Sequence, residues 1–242
     1  MSDDVIPDET DPDDAAAGDG PAARRGKSAA ALARRARRNQ RKAWADGYLK
    51  GICTLLRPGD LAVDLGANMG VVTRQLAATG ADVVAFEPDP LTFAKLRERF
   101  AETANVTLIN AAVGVGSGTV RLMRANNFAD NPEGASVKST ILGGGRRIDA
   151  DNGVDVPLID FPAWVRTQVA QRGAIAFVKM DIEGAELEIL EAMTRDGLFA
   201  GIRGLVAETH ERKFKDLRNR YKALRAAIAR AEPSGKVNLD WI

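Results

Sequence analysis

Two short segments of the sequence carry residues suited to binding a nucleoside. The first is DLGANMG, which places Asp64, Gly66 and Gly70 where a buried strand turns into a helix. Glycines at such a turn let the backbone approach a ligand closely, and the following helix presents unbonded N–H groups. The second is FEPDP, in which Glu87 ends the next strand, 21 residues after Gly66. A carboxylate there can accept hydrogen bonds from both ribose hydroxyls, so together the segments favour nucleoside binding.

Other residues exclude several classes of chemistry. A nicotinamide-binding fingerprint requires glycine where this sequence has Asn68, and no phosphate-binding G-x-x-x-x-G-K-[ST] segment is present. The single cysteine, Cys53, forbids an internal disulfide and a cysteine-rich zinc site. The single histidine, His210, excludes reactions that need two.

The elements that position these residues alternate along the chain. Predicted strands lie at 61–66, 82–87, 106–113, 118–125, 154–160, 174–181, 204–210 and 236–242, and predicted helices at 71–79, 91–101, 161–171, 185–195 and 212–231. This alternation predicts an α/β fold with a parallel sheet and helices on both faces. Trp44, Tyr48, Ile52 and Leu56 recur every four residues, which predicts one packed face of a preceding helix. Residues 126–152 are Gly-rich and aperiodic, and we expect a substrate-facing lid, with a plain surface insertion as the alternative.

Charge is distributed very unevenly at the start of the chain. Residues 1–20 hold eight acidic and no basic residues, residues 24–42 hold nine basic and no acidic residues, and the rest is balanced. We expect residues 1–23 to form a disordered acidic tail. The basic Ala/Arg-rich segment, 24–42, is predicted to be a solvated helix or tail, with nucleic-acid contact as a less favoured alternative. The sequence shows no transmembrane or secretory segment, and a cytoplasmic location is expected.

Five segments resemble the FkbM family of S-adenosylmethionine-dependent methyltransferases: DLGANMG, FEPDP, NAAVG (110–114), VKMDIEGAE (178–186) and ETH (208–210). The resemblance implies a class I methyltransferase domain over residues 43–242, with a Rossmann-like, doubly wound, mostly parallel sheet. It also implies methyl transfer to a hydroxyl of a sugar, glycan or secondary metabolite. The implied cofactor-binding residues are Asp64, Gly66, Ala67, Asn68 and Gly70 around the methionine part, Glu87 on the ribose, and Asn110, Ala111 and Ala112 near adenine.

Four polar residues are predicted to line the same rim of the sheet. Asp181 and Glu183 follow one strand, and Glu208 and His210 end the next. Methylating a hydroxyl requires alignment with the methyl group and an acceptor for the proton, so Asp181, Glu183 and His210 are the candidate catalytic residues. His210 is a candidate base because its ordinary pKa of ~6.5 is close to working pH. Alternatively, Asp181, Glu208 and His210 hold a divalent cation such as magnesium, or His210 is structural.

Two other functions are alternatives to methylation of a sugar, glycan or metabolite hydroxyl. The basic segment suggests an RNA ribose methyltransferase, or a non-catalytic nucleoside-binding module that this segment tethers. Methylation of a base amino group is disfavoured because DIEG replaces the expected Asn/Asp-Pro-Pro-aromatic motif. Cytosine C5 chemistry is disfavoured because Cys53 precedes the first strand.

Overall fold

A computed structural model describes residues 21–125, 148–211 and 215–241 of the chain. The elements in chain order are α1 (Pro21–Leu55), β1 (Leu61–Leu65), α2 (Val71–Ala77), β2 (Asp82–Phe86), α3 (Pro90–Arg99), β3 (Val106–Ile109), β4 (Ala112–Gly114), β5 (Gly118–Ala125), β6 (Ile148–Asp160), α4 (Phe161–Arg172), β7 (Phe177–Met180), α5 (Glu186–Arg195), β8 (Leu205–Ala207), α6 (Arg218–Ala231) and β9 (Val237–Asn238). The predictions for residues 1–20, for 126–147 of the lid, for 212–214 and for 242 lie outside the described residues.

The main sheet has six strands in the order β3-β2-β1-β7-β8-β9, and every neighbouring pair is parallel. The chain builds outward from β1 through β2 to β3, then returns to the other side of β1 with β7. This reversal between β1 and β7 is the place where open α/β sheets bind ligands, at the carboxyl ends of the strands. The predicted doubly wound parallel sheet is confirmed.

Helices cover both faces of this sheet because side chains along each strand alternate in direction. Leu61, Val63 and Leu65 of β1 belong to a core that includes residues of α4, α5 and α6. Ala62, between them, belongs to a second core that includes Leu49 of α1 and Leu76 of α2. All four β1 residues are at most 1% exposed, so the central strand is enclosed by both layers.

Helix α1 packs the predicted face except at its first position. Leu56 is buried and Tyr48 and Ile52 pack against the same core as the buried Ala45 and Leu49, whereas Trp44 is 50% exposed. The helix differs from the prediction in its length. It begins at Pro21, inside the predicted tail, and runs through the basic segment without a break.

Two compact units divide between Trp44 and Ala45, and the elements from β1 onward belong to the second. Across the parts of the chain that the structure describes, no helix is both long enough and apolar enough to span a membrane.

The predicted strand 106–113 is wrong as one element. It divides into β3 and β4, which join different sheets, because the chain turns at Asn110. The side-chain amide of Asn110 donates to the backbone carbonyls of Glu87 and Pro88, at 2.8 and 3.0 Å, and so connects this turn to the end of β2.

The second sheet has the order β4-β6-β5. Strand β6 pairs antiparallel with β5 and parallel with β4. It begins at Ile148, so the predicted loop 126–152 ends at least five residues earlier than expected. Ile148 and Asp149 pair with Ala125 and Arg124 of β5 beyond a register shift, a tertiary contact that the aperiodic sequence did not reveal.

Candidate active site

The turn after β1 is fastened to the end of β2. The N–H groups of Gly66 and Ala67 both donate to the carbonyl of Phe86, at 3.0 and 2.9 Å. Gly66 has φ +76° and Asn68 has φ +48°, the left-handed backbone needed to reverse direction here. The N–H groups of Gly66, Ala67 and Asn68 therefore bond within the protein and hold the turn at the sheet edge.

Gly66 lies directly against the end of β7. A Cβ atom added at Gly66 would lie 1.9 Å from the carbonyl oxygen of Asp181, far inside van der Waals contact. Gly70 packs against α3, where an added Cβ would lie 2.4 Å from Phe100 and 2.7 Å from Leu96. The first glycine thus brings the β1 turn next to the residues after β7, and the second seats the start of α2.

Glu87 lies at the carboxyl end of β2 and is 6% exposed. Its two carboxylate oxygens accept the N–H groups of Asn68 and Asp89, at 2.8 and 2.9 Å. Burial raises the pKa of Glu87 to about 7, although the two backbone hydrogen bonds oppose the shift. Each carboxylate oxygen can accept a second hydrogen bond, so this side chain has capacity for two hydroxyl donors.

Asp64 is fully buried beneath the turn. Its carboxylate accepts a hydrogen bond from Thr73 at 2.7 Å and lies 3.2 Å from the ammonium of Lys179. Lys179 also donates to the carbonyl of Gly66 at 2.8 Å and lies 3.8 Å from Asp181. Burial alone would lower the pKa of Lys179, but the attraction of Asp64 and Asp181 outweighs it and raises that pKa. A buried cation thus links β1, the glycine turn and the end of β7.

The residues implied to lie near adenine form the turn after β3 and the first position of β4. Asn110 braces the Glu87 loop through its side chain, and Ala111 and Ala112 are 2% and 5% exposed. They adjoin the same edge of the sheet as Glu87.

The rim after β7 and β8 brings the three predicted catalytic residues together. Asp181, Glu183 and His210 each offer one ligand atom, and these atoms lie within 4.8 Å of one another. Nε2 of His210 lies 3.3 Å from Glu183 and 3.9 Å from Glu208. Among the described residues, the three-residue cluster with ligand atoms close enough for a metal is Asp181, Glu183 and His210, and the set with Glu208 in place of Glu183 stays a prediction.

Glu186 is a site residue that sequence reasoning missed. An acidic residue in the first turn of a helix is typically solvated and favours the helix N-terminus, but Glu186 is fully buried at the start of α5. Its Oε1 accepts the N–H of Ile182 at 3.1 Å and lies 2.9 Å from Nδ1 of His210. The signal available in the sequence was its position in the VKMDIEGAE segment, five residues after Asp181.

The carboxylates around His210 change its protonation. Burial alone would lower the pKa of His210, but hydrogen bonds to Glu183 and Glu186 and their negative charge raise it to about 10. The pKa of His210 therefore departs from its ordinary value near 6.5, because the ring lies between two carboxylates. At neutral pH the ring is an imidazolium cation.

Asp181 lies at the mouth of the same rim, with 31% of its side chain exposed. Its pKa is raised, mainly by burial and further by Glu183, while Lys179 opposes the shift. A carboxylate with a raised pKa is a stronger proton acceptor than an ordinary aspartate.

Comparison with known proteins identifies the family to which this site belongs. Residues 64–231 match the family described as the methyltransferase FkbM domain, a match that begins at Asp64 and includes the whole rim. The chain belongs to this methyltransferase family. Its fold is accordingly the class I methyltransferase fold, with the glycine turn and Glu87 at the expected sheet edge, and family membership implies the use of S-adenosylmethionine.

Individual relatives act on different acceptors. The chain is 31% identical over 176 residues to 31-O-demethyl-FK506 methyltransferase FkbM of Streptomyces tacrolimicus, covering 64% of this chain and 67% of that protein. It is 29% identical over 135 residues to hexuronic acid methyltransferase AglP of Haloferax volcanii, covering 56% and 50%. It is 45% identical over 53 residues to ribosomal RNA small subunit methyltransferase A of Thermotoga petrophila, covering 22% and 20%. The match thus spans half or less of the last two proteins.

Proposed function

We propose that the protein transfers a methyl group from S-adenosylmethionine to a hydroxyl of a sugar, glycan or secondary metabolite. The observation that carries the proposal is the contact between Gly66 and Asp181, which puts the cofactor turn beside the candidate proton acceptors. The two relatives matched over more than half of this chain support it, since their names specify a 31-O-demethyl-FK506 and a hexuronic acid methyltransferase.

The residues at the sheet edge fit the cofactor. Glu87 has capacity to accept both ribose hydroxyls, and the turn at Asn110 lies beside it for the adenine. Asp181, Glu183 and Glu208 form an anionic rim that complements a sulfonium cation. We assign Ala67, Asn68 and Gly70 to the shape of the pocket wall. Asp64 acts indirectly, by holding Lys179 and Thr73 beneath the turn.

The chemistry asked of this chain is alignment and proton transfer. S-adenosylmethionine supplies a methyl group that is already activated for transfer. The rim would align the acceptor hydroxyl with that methyl group. As the carbon–oxygen bond forms, the sulfur–carbon bond would break to release S-adenosylhomocysteine, and Asp181 would accept the hydroxyl proton. His210 is a weak candidate for this step because it already carries a proton at neutral pH. Its positive charge instead fixes the positions of Glu183 and Glu208.

Replacing Asp181 with asparagine tests this assignment. Because Asp181→Asn keeps the side-chain shape but removes the proton acceptor, kcat should fall by ~100-fold to 10,000-fold. Cofactor affinity, measured by calorimetry, should fall far less than kcat, by about tenfold or less, because Glu183 and Glu208 keep the rim anionic. Glu188→Gln, which alters an exposed carboxylate on α5, is the matched control and should leave both values unchanged. Full turnover in the Asp181 variant would remove this residue from the mechanism.

A divalent cation such as magnesium is the alternative to an unassisted carboxylate. Asp181, Glu183 and His210 present suitable ligand atoms, but the proton on Nε2 of His210 must leave before that nitrogen binds a metal. We therefore propose proton transfer to Asp181 without a metal, with the metal-assisted reaction as the alternative. Activity that survives exhaustive chelation supports Asp181 alone, whereas loss with EDTA and recovery with Mg²⁺ supports the metal.

An acceptor screen tests the proposed function as a whole. The purified protein is incubated with methyl-labelled S-adenosylmethionine and with separate pools of glycans, small hydroxylated metabolites and RNA. Label in the glycan or metabolite pool supports the proposal, and label only in RNA supports the ribose methyltransferase alternative. Cofactor binding without label in any pool would favour a binding module over an enzyme.

A further inference from the structure

We propose that Glu186 is a positioning residue: its buried carboxylate holds Nδ1 of His210 and thereby presents Nε2 to Glu183 on the reaction side of the rim. This inference rests on the proposed function, because it assigns a role within the same rim. It concerns a residue that touches neither cofactor nor acceptor.

The geometry gives Glu186 two simultaneous contacts through one oxygen. Oε1 lies 2.9 Å from Nδ1 of His210 and accepts the N–H of Ile182 at 3.1 Å. The first contact fixes the rotation of the imidazole, and the second fixes the segment between Asp181 and α5. Both contacts therefore act on the rim, one through the ring and one through the backbone that carries Glu183.

The opposite edge of the same ring faces the rim. Nε2 of His210 lies 3.3 Å from Glu183 and 3.9 Å from Glu208, and Glu183 has φ +59°, which a non-glycine residue seldom adopts. The contact at Nδ1 fixes the ring and so determines which groups Nε2 can reach. Carboxylates orient functional histidines in this way.

A purely structural role does not account for a buried carboxylate at position 186, because its burial lowers the stability of the fold. It is fully buried, and its second oxygen, Oε2, has no hydrogen-bond partner among the residues that the structure describes. A buried carboxylate with one unbonded oxygen costs stability, and an apolar side chain there would extend the core formed by Leu187 and Leu190. The retained charge is explained by its contact with His210.

Two substitutions separate this role from simple packing. Glu186→Gln keeps an oxygen for both contacts and removes the charge, whereas Glu186→Leu removes both contacts at similar size. Glu188→Gln, on the exposed side of the same helix, is the control. We expect kcat to fall by ~10-fold to 100-fold in Glu186→Leu, with the acceptor KM and cofactor Kd within about twofold of wild type. Glu186→Gln should recover most of that loss.

The single histidine of the chain gives a direct readout that needs no acceptor. In a tag-free, ¹⁵N-labelled protein, every imidazole signal comes from His210. We expect the signal of the hydrogen-bonded Nδ1 proton to disappear in Glu186→Leu and to persist at a shifted position in Glu186→Gln. Unchanged ring nitrogen shifts in Glu186→Leu would overturn the proposal whether or not kcat falls, because the ring would then keep its position without Glu186.

The His210 ring signals also test the proposal if a variant does not fold or if no acceptor is found. If Glu186→Leu does not fold, the Nδ1 signal of Glu186→Gln decides: an Nδ1 shift identical to that of the wild type overturns the proposal, and a shifted but still hydrogen-bonded Nδ1 proton supports it. If no acceptor is methylated by the wild-type protein, the proposed function fails, while the ring measurements still determine whether Glu186 positions His210.

Discussion

Replacing Gly66 with alanine should unfold much of the site and abolish measurable cofactor binding. The added methyl would sit 1.9 Å from the carbonyl oxygen of Asp181, a backbone atom that no side-chain rotation can move. The φ of +76° adds a conformational penalty of ~1 to 2 kcal/mol. With the forced separation of the β1 turn from β7, we expect a total loss of about 3 kcal/mol or more. Thermal unfolding and calorimetric titration with S-adenosylmethionine measure the two effects.

Gly59→Ala is the control that separates backbone strain from collision. Gly59 also has a left-handed backbone, with φ +90°, but a Cβ there would meet no atom within 4 Å. We expect this variant to lose only ~1 to 2 kcal/mol and to bind cofactor as the wild type does. If both variants lose the same stability and the same affinity, the close approach of Gly66 to Asp181 has no special importance.

The sequence predicted the parallel sheet, both helical layers and the convergence of Gly66, Glu87, Asp181 and His210. These depend on strand-helix alternation and on the rule that parallel strands end at one edge. Two features were not predictable in this way. The break at Asn110 depends on hydrogen bonds to a distant loop, and the pairing of Ile148 and Asp149 depends on β5. Neither feature produces a recognisable pattern in the local sequence.

The protonation of the rim was also beyond the sequence. The predicted base, His210, lies between Glu183 and Glu186, and only the folded distances show that their combined charge outweighs burial. Glu186 has the same residue type as Glu188, and both are acidic residues in the first turn of α5. Burial separates them, since one contacts His210 and the other is exposed.

Cofactor affinity should rise with pH through about 7 because of Glu87. Its carboxyl group is protonated below its pKa of about 7, and a neutral carboxyl accepts weaker hydrogen bonds from ribose hydroxyls than a carboxylate does. The Kd for S-adenosylmethionine should therefore fall between pH 6 and 8. In Glu87→Gln this dependence should disappear, and at pH 8 affinity should be lower by ~1 to 3 kcal/mol, roughly 5-fold to 150-fold. Glu98→Gln, an exposed carboxylate on α3, should retain the wild-type profile.

The same carboxyl group should also make folding stability depend on pH, with the opposite sign. The pKa of Glu87 is raised by folding from 4.5 to about 7, so the folded protein without cofactor binds this proton more tightly than the unfolded chain. The unfolding free energy of wild type, relative to Glu87→Gln, should therefore fall as pH rises from about 4.5 to 7, by up to ~3 kcal/mol. This difference in slope is unaffected by a constant loss of one backbone hydrogen bond in the variant. Parallel slopes, together with a pH-independent Kd in wild type, would contradict a buried, proton-binding Glu87 at the ribose position.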